Sequence, residues 1–188
     1  MAQGIALMGR ARSGKDSVAA RLMGHHNYSR VAFADPLRDM ALALDPWVVS
    51  PGDSAPLRLS QVVRNVGWEQ AKEYLPEVRR TLQALGQSVR DVDPNFWLRL
   101  ALDRVDSIAG PVVITDVRYP NEAQALRARG FLMVRVWRPR YPAVTVDAEG
   151  LAARQHVSET ALDGYVPDVT VVNGGTLADL HARADLLV

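Results

Sequence analysis

Cysteine is absent from the 188 residues, which removes disulfides and thiolate metal sites. The four histidines, His25, His26, His156 and His181, make no HExxH spacing, so zinc chemistry is not expected. No uninterrupted apolar stretch approaches the ~18 residues of a membrane span, and the apolar run from Gly4 to Met8 is too short for a signal-peptide core. A soluble cytoplasmic protein is the expectation. One-signed charge is missing too: 22 basic against 21 acidic residues leave +1, which gives no global pull onto nucleic acid or an anionic membrane. Any anion binding must be local. Lysine is scarce, because only Lys15 and Lys72 are lysine and every other basic residue is arginine, so the position of each lysine is informative. What remains is ordinary globular composition, 48% hydrophobic and 23% charged, which disfavours disorder, collagen-like repeats and coiled coils. The length suits one domain with insertions.

Along the chain, Ile5 to Met8 reads as a strand, Gly9 to Gly14 as a small basic loop, and Val18 to Met23 as a helix with an apolar face. Arg30 to Phe33 reads as a second strand, and Asp35-Pro36 as the N-cap and first residue of a helix reaching about Leu44. Residues 46 to 57, with Pro46, Pro51, Gly52 and Pro56, read as a loop. From Leu59 to Ser107 the pattern is helical and lightly apolar: a helix from Ser60, one near Glu69 to Tyr74, one from Pro76 to Val89, and one opened by Asp93-Pro94. This stretch looks like a helical insertion. Val112 to Ile114 suits a central parallel strand, with a helix opened by Pro120 and Glu122 behind it. Phe131 to Trp137 and Val169 to Val172 are further strands, and Thr176 leads the last helix. Residues 138 to 156 read as a flap. Short strands alternating with helices predict an α/β three-layer domain with a mainly parallel sheet.

Gly9-Arg10-Ala11-Arg12-Ser13-Gly14-Lys15 fits GxxxxGK between a predicted strand and a predicted helix, the context that a phosphate-binding loop requires. Glycines let backbone N–H groups converge on phosphate oxygens, the helix N-terminus adds partial positive charge, and lysine brings a compact charge to the β- and γ-phosphates. Gly9, Arg12, Ser13, Gly14, Lys15, Asp16 and Ser17 are therefore the candidate nucleotide-binding residues. The position that is usually Ser or Thr is Asp16, with Ser17 next. A carboxylate beside a triphosphate calls for a cation, so Asp16 and Ser17 are candidate Mg²⁺ ligands. The alternative is that Asp16 only favours the helix dipole.

Asp116, at the carboxyl end of the strand begun by Val112, is a third candidate metal or water ligand, or else the cap of the helix at Pro120. Arg118 could grip a phosphate bidentately or pair with Glu122 on the surface. Asp35 and Arg38 follow the second strand, with capping and a solvated side chain as their alternatives. Gln83, Arg90, Phe96 and Trp97 could build a base pocket, although for Trp97 alone the core reading is preferred. Arg138 and Arg140 open the flap, either to swing onto transferring phosphates or as solvated loop residues. His156 reads as structural and the His25-His26 pair as surface.

The blocks GRARSGKDS (Gly9 to Ser17), FADPLRD (Phe33 to Asp39), LQALG (Leu82 to Gly86), Phe96-Trp97, TDVRYPNEA (Thr115 to Ala123) and HVSE (His156 to Glu159) resemble the deoxynucleoside monophosphate kinases of bacteriophages. The resemblance implies a single P-loop kinase domain. Its core would comprise about 1–34, 108–137 and 157–188, its acceptor-binding helical region about 35–107, and its lid about 138–156. It also implies that the aspartate after the P-loop lysine is a family feature. By that resemblance Lys15 holds the donor phosphates of ATP, Asp16 and Ser17 the Mg²⁺ region, Asp35 and Arg38 the acceptor side, and Arg118 the acceptor phosphate, while Arg138 and Arg140 act from the lid. The lid residues 141 to 155 match no block.

The reaction this implies is ATP-dependent phosphorylation of deoxynucleoside 5′-monophosphates to diphosphates, by positioning and charge stabilisation. The expected partners are small nucleotides, with neither nucleic acid nor membrane, and a homodimer is allowed for. A rival is a P-loop kinase of another phosphorylated acceptor, since animal-type phosphomevalonate kinases share a similar RxSGKD loop. A second rival is a nucleotide-binding regulatory module, although no NKxD guanine motif is present.

Overall fold

Five strands build one parallel sheet: β1 (Gly4–Met8), β2 (Ser29–Val31), β5 (Val112–Val117), β6 (Phe131–Trp137) and β7 (Val169–Val172). Their order is β2-β5-β1-β6-β7, with every neighbouring pair parallel. The structure is a computed structural model that describes residues 4–49, 55–139 and 156–188. Two compact units emerge, one of 4–33, 98–139 and 156–188, the other of 34–49 and 55–97.

The first unit contains the sheet. All five residues of β1 are buried, as a strand with parallel neighbours on both sides and covered faces requires. Alternate side chains show both coverings. Ile5, Leu7, Val113, Val134, Val136 and Val171 pack with Val18, Ala19 and Leu22 of helix α1 (Lys15–His26) and with Leu180 and Ala184 of α8 (Leu177–Asp185). The intervening Ala6, Met8, Ile114 and Met133 point the opposite way and are buried too, as are Ala123 and Leu126 of α6 (Pro120–Ala128). The expected three-layer α/β fold is what forms. The short helix α7 (Val157–Thr160) precedes β7, and His156 is its N-cap, with Nδ1 accepting from Ser158 N–H at 3.2 Å. Thr176 caps α8, its hydroxyl accepting from Asp179 N–H at 3.2 Å.

The second unit is mainly helical: α2 (Ala34–Leu44), α3 (Leu59–Tyr74) and α4 (Pro76–Val92), with the start of α5 (Phe96–Asp106), whose remaining residues belong to the first unit. Ala41, Leu59, Val62, Ala71, Leu75 and Val78 form its core. The two helices expected around Ser60 and Glu69 are one run interrupted at Gly67, where φ is 74°. Two expectations are corrected. Helix α2 starts at Ala34, so Asp35 lies within the first turn rather than at the cap; Pro36 fits there because first-turn N–H groups have no intrahelical partner. The stretch read as loop 46 to 57 holds β3 (Trp47–Val48) and ends in the first residue of β4 (Leu57–Arg58), which pairs with it antiparallel. Strands of two residues are too short to show alternation.

Among the described residues, no helix is long and apolar enough to cross a membrane.

Candidate functional site

The loop between β1 and α1 is shaped by steric need at both glycines. Gly9 has φ 136°, and a Cβ there would fall 2.3 Å from the Val136 carbonyl oxygen. Gly14 has φ 108°, and a Cβ there would meet Asn173 Nδ2 at 2.6 Å. Neither position tolerates a side chain. Ser13 is buried, and its Oγ has no hydrogen-bond partner among the described residues. An orphaned hydroxyl inside a loop of this shape is chemistry that a bound anion would satisfy. Helix α1 begins at Lys15, so its unpaired first-turn N–H groups lie directly behind the loop.

Lys15 is buried, and its Nζ donates to the carbonyls of Gly9 at 2.7 Å and Arg10 at 2.9 Å. Burial, and then the charge of Arg118, bring its pKa down to about 8, while Glu159, Asp16 and Asp116 pull the other way. Asp16 is exposed in the first turn of α1 and Ser17 half-buried. Arg12, at φ 60°, is exposed.

Asp116 sits near the carboxyl end of β5, where the register slips: Ala6 pairs with Ile114 but Met8 with Val117. A bulge at such a place re-aims side chains. Asp116 Oδ1 accepts the Phe33 N–H at 2.9 Å, so the side chain tethers the end of the neighbouring β2 segment rather than capping α6. The Arg118 guanidinium pairs with Glu159, not with Glu122, and also donates to Ser158 O at 3.2 Å. Glu122 is 1% exposed. Its Oε2 accepts two backbone N–H groups, from Arg118 at 2.9 Å and Tyr119 at 3.1 Å, and so fixes the turn out of β5. Burial would lower the Arg118 pKa, but Glu159, Asp116 and Glu122 raise it above its ordinary value, so the guanidinium stays charged.

Two residues that sequence reading leaves without a role complete the loop. Glu159 Oε2 accepts the Ala11 N–H at 3.1 Å, and Asn173 Nδ2 donates to Ser13 O at 2.9 Å. Burial alone would push the Glu159 carboxyl up; Arg118, the Ala11 N–H and Lys15 outweigh it and hold the group below the usual glutamate range. Arg138 is exposed just past β6, while Arg140 and most of the expected flap lie outside the described residues.

In the helical unit, Arg38 is not a solvated side chain. It lies 3.3 Å from Glu69 and 3.6 Å from Asp35, with its guanidinium 5.7 Å from the Trp68 ring centre. Gln83 and Arg90 are half-buried on α4, and Arg90 donates to Pro94 O at 3.0 Å. Trp97 is 3% exposed, and its indole N–H is given to Gly86 O at 3.1 Å, which is the core alternative rather than an open stacking face. Phe96 meets it edge to face, with ring centres 5.0 Å apart.

Comparison with known proteins adds a family. The model of the Deoxynucleotide monophosphate kinase family matches residues 53–184, a stretch that begins after the β1–α1 loop and takes in Asp116, Arg118 and Glu159. The chain is 36% identical over 115 residues to the uncharacterized protein ORF77 of Ictalurid herpesvirus 1 (strain Auburn), covering 57% of this chain and 46% of the relative. It is 30% identical over 132 residues to the deoxynucleotide monophosphate kinase of Enterobacteria phage T4, covering 67% and 48%. The chain thus spans about half the length of these two relatives. A putative deoxynucleotide monophosphate kinase of Acanthamoeba polyphaga mimivirus is 25% identical over a 196-residue alignment covering 95% and 92%. Among solved structures, TT1252 from Thermus thermophilus is similar at a TM-score of 0.49 and 22% identity, with 97% of this chain and 95% of that one covered. Since the family match takes in most of the chain, including the end of β5 and helix α7, the chain belongs to the deoxynucleotide monophosphate kinase family.

Proposed function

We propose that the chain transfers the γ-phosphoryl group of ATP to a deoxynucleoside 5′-monophosphate. An oxygen of the acceptor phosphate forms the new bond to the γ-phosphorus as the bond to the β-phosphate bridging oxygen breaks, giving ADP and the deoxynucleoside diphosphate. The observation that carries this reading is the buried Lys15 in a glycine-shaped phosphate loop, under the field of Arg118 and Asp116, in a chain of this family.

Lys15 and the loop amides hold the donor phosphates, exchanging the Gly9 and Arg10 carbonyls for phosphate oxygens. Arg118 takes the acceptor phosphate with its planar donor pair. Asp35, Arg38, Gln83 and Arg90, with Phe96 and Trp97, are assigned to recognition of the acceptor. Arg138 and Arg140 supply further charge from the flap. Asp16, Ser17 and Asp116 would hold Mg²⁺ directly or through water, and the ion would supply neutralisation of phosphate charge. The carboxylates of Asp16 and Asp116 already act on Lys15, and an all-oxygen set of this kind suits that ion. The acceptor phosphate is nucleophilic near neutral pH, so no strong general base is required.

A coupled ADP-release assay across the deoxy- and ribonucleoside monophosphates, run on the wild type and on Lys15→Ala, tests the reading. ADP release that depends on at least one deoxynucleoside monophosphate, and that falls by orders of magnitude in the folded variant, is the expected result. ATP turnover indifferent to every acceptor would assign a nucleotide switch instead. Stimulation by phosphomevalonate alone would assign the other kinase class.

A further inference from the structure

We propose that Glu159 is an internal stand-in for phosphate: its carboxylate bridges the Ala11 amide of the β1–α1 loop and the Arg118 guanidinium, and donor phosphate has to displace it from the amide and acceptor phosphate from the guanidinium. The inference rests on the reading of the loop and Arg118 as phosphate binders.

The two oxygens have separate tasks. Oε2 accepts a loop N–H, the type of group that cradles phosphate, and Oε1 pairs with the arginine assigned to the acceptor. A carboxylate is the side-chain group closest to phosphate in this respect, since both accept from backbone amides and from a planar guanidinium. The side chain is 9% exposed. Its partners lie 148 and 41 positions away in sequence, so no helix or strand ladder dictates the contacts. The fold nevertheless aims the residue. His156 caps α7 ahead of it, and behind it Arg135 of β6 donates to Leu162 O at 2.8 Å and Tyr165 O at 2.7 Å.

Electrostatics requires the exchange. An ionised carboxylate left on the loop would repel a polyphosphate at the point where the loop must attract it. Once phosphate oxygens occupy the Ala11 amide and Arg118, Glu159 loses both partners. The affinity of the site for phosphate is therefore a difference between two anions, and removing the internal one strengthens the external one. A glutamate that only positioned Arg118 would have the opposite effect, because its loss would loosen the arginine and weaken binding.

Calorimetric titration of the full chain with pyrophosphate near neutral pH separates these outcomes, using the wild type, Glu159→Gln, Asp163→Asn and Lys15→Ala. Asp163 pairs with Arg10 at 2.7 Å, so its variant removes one nearby negative charge without touching the Ala11 amide. Glu159→Gln is expected to bind pyrophosphate about tenfold more tightly than the wild type, the worth of losing one charge-assisted competitor. Asp163→Asn should change the affinity by less than about twofold. Unchanged or weaker binding by Glu159→Gln, or an equal gain in Asp163→Asn, overturns the proposal. Binding indifferent to Lys15→Ala overturns the phosphate-loop reading beneath it. Should Glu159→Gln fail to fold, Glu159→Asp carries the same expectation of tighter binding, because its carboxylate is one methylene too short to hold both partners.

Discussion

Asn173 donates its side-chain amide to the Ser13 carbonyl at 2.9 Å, joining the residue after β7 to the β1–α1 loop across 160 positions of sequence. Its own backbone N–H is given to Trp137 O at 2.7 Å, so the loop is anchored to the ends of both β6 and β7. The same amide occupies the space that a Cβ on Gly14 would need. Asn173→Ala should cost about 1 kcal/mol of stability, the net worth of one hydrogen bond, and weaken ADP binding several-fold as the loop loosens. Asn173→Asp, which turns a donor into a like-signed neighbour of a carbonyl, should do worse. Thermal melts and ADP titrations read both effects, and an ADP affinity untouched in either variant would show the loop to be self-supporting.

On the proposed reading, Lys15 should make ADP binding pH-dependent with a defined sign. Burial and Arg118 bring its pKa to about 8, and bound phosphate oxygens raise it again. Above that pH, binding must take up part of a proton. Titration at about pH 8.5 in two buffers of different ionisation heat should report this uptake, and it should vanish near pH 7 and in Lys15→Arg, whose guanidinium stays charged. The unfolded chain carries an ordinary lysine and binds more protons than the folded one between about 8 and 10.5. The Lys15 contribution to stability therefore rises with pH across that window.

Arg118 and Glu122, four positions apart, should separate function from stability. Arg118→Ala removes a side chain from the site and should raise the acceptor KM and lower kcat/KM, with ADP affinity little reduced. Glu122→Ala instead leaves the Arg118 and Tyr119 N–H groups without their carboxylate inside the protein, a cost of about 2 to 4 kcal/mol. Denaturant midpoints and steady-state kinetics on both variants check the split. A large stability loss in Arg118→Ala would mean that its pairing with Glu159 holds the fold together.

Much of this arrangement is legible in the chain, because some residue types have few alternatives. The strand-loop-helix turn through Gly9 and Gly14 follows from two glycines at one spacing, and the bounds of β6 and β7 match the apolar runs at Phe131 to Trp137 and Val169 to Val172. What is not legible is the set of partnerships made across the fold. Sequence spacing offers Glu122 to Arg118, whereas the structure brings in Glu159 from 41 positions away. For Asp116 the sequence offers a metal or water ligand, or else a helix cap, and neither reading contains the Phe33 N–H, 83 positions back, that takes one of its oxygens. Nothing local marks Asn173 as a partner of Ser13. Trp97 was open to two readings, and only packing decides that its indole serves Gly86.

Asp16 occupies the place where a phosphate loop usually carries a hydroxyl, and its two readings give opposite outcomes. The residue is exposed in the first turn of α1, and its charge acts on Lys15. If the carboxylate belongs to the Mg²⁺ shell, directly or through water, Asp16→Asn keeps size and helix position but removes the charge that holds the ion. Turnover should then fall steeply and recover in part at high Mg²⁺. If Asp16 only complements the helix dipole, the same change costs ~0.3 to 1 kcal/mol of stability and leaves the Mg²⁺ dependence where it was. The metal reading is the expected one, because a carboxylate next to a triphosphate is repulsive without a cation between them. Measuring kcat against Mg²⁺ concentration for Asp16→Asn and Ser17→Ala side by side decides it. An unshifted curve for Asp16→Asn with a shifted one for Ser17→Ala would transfer the metal role to the serine and leave Asp16 as a helix-end charge.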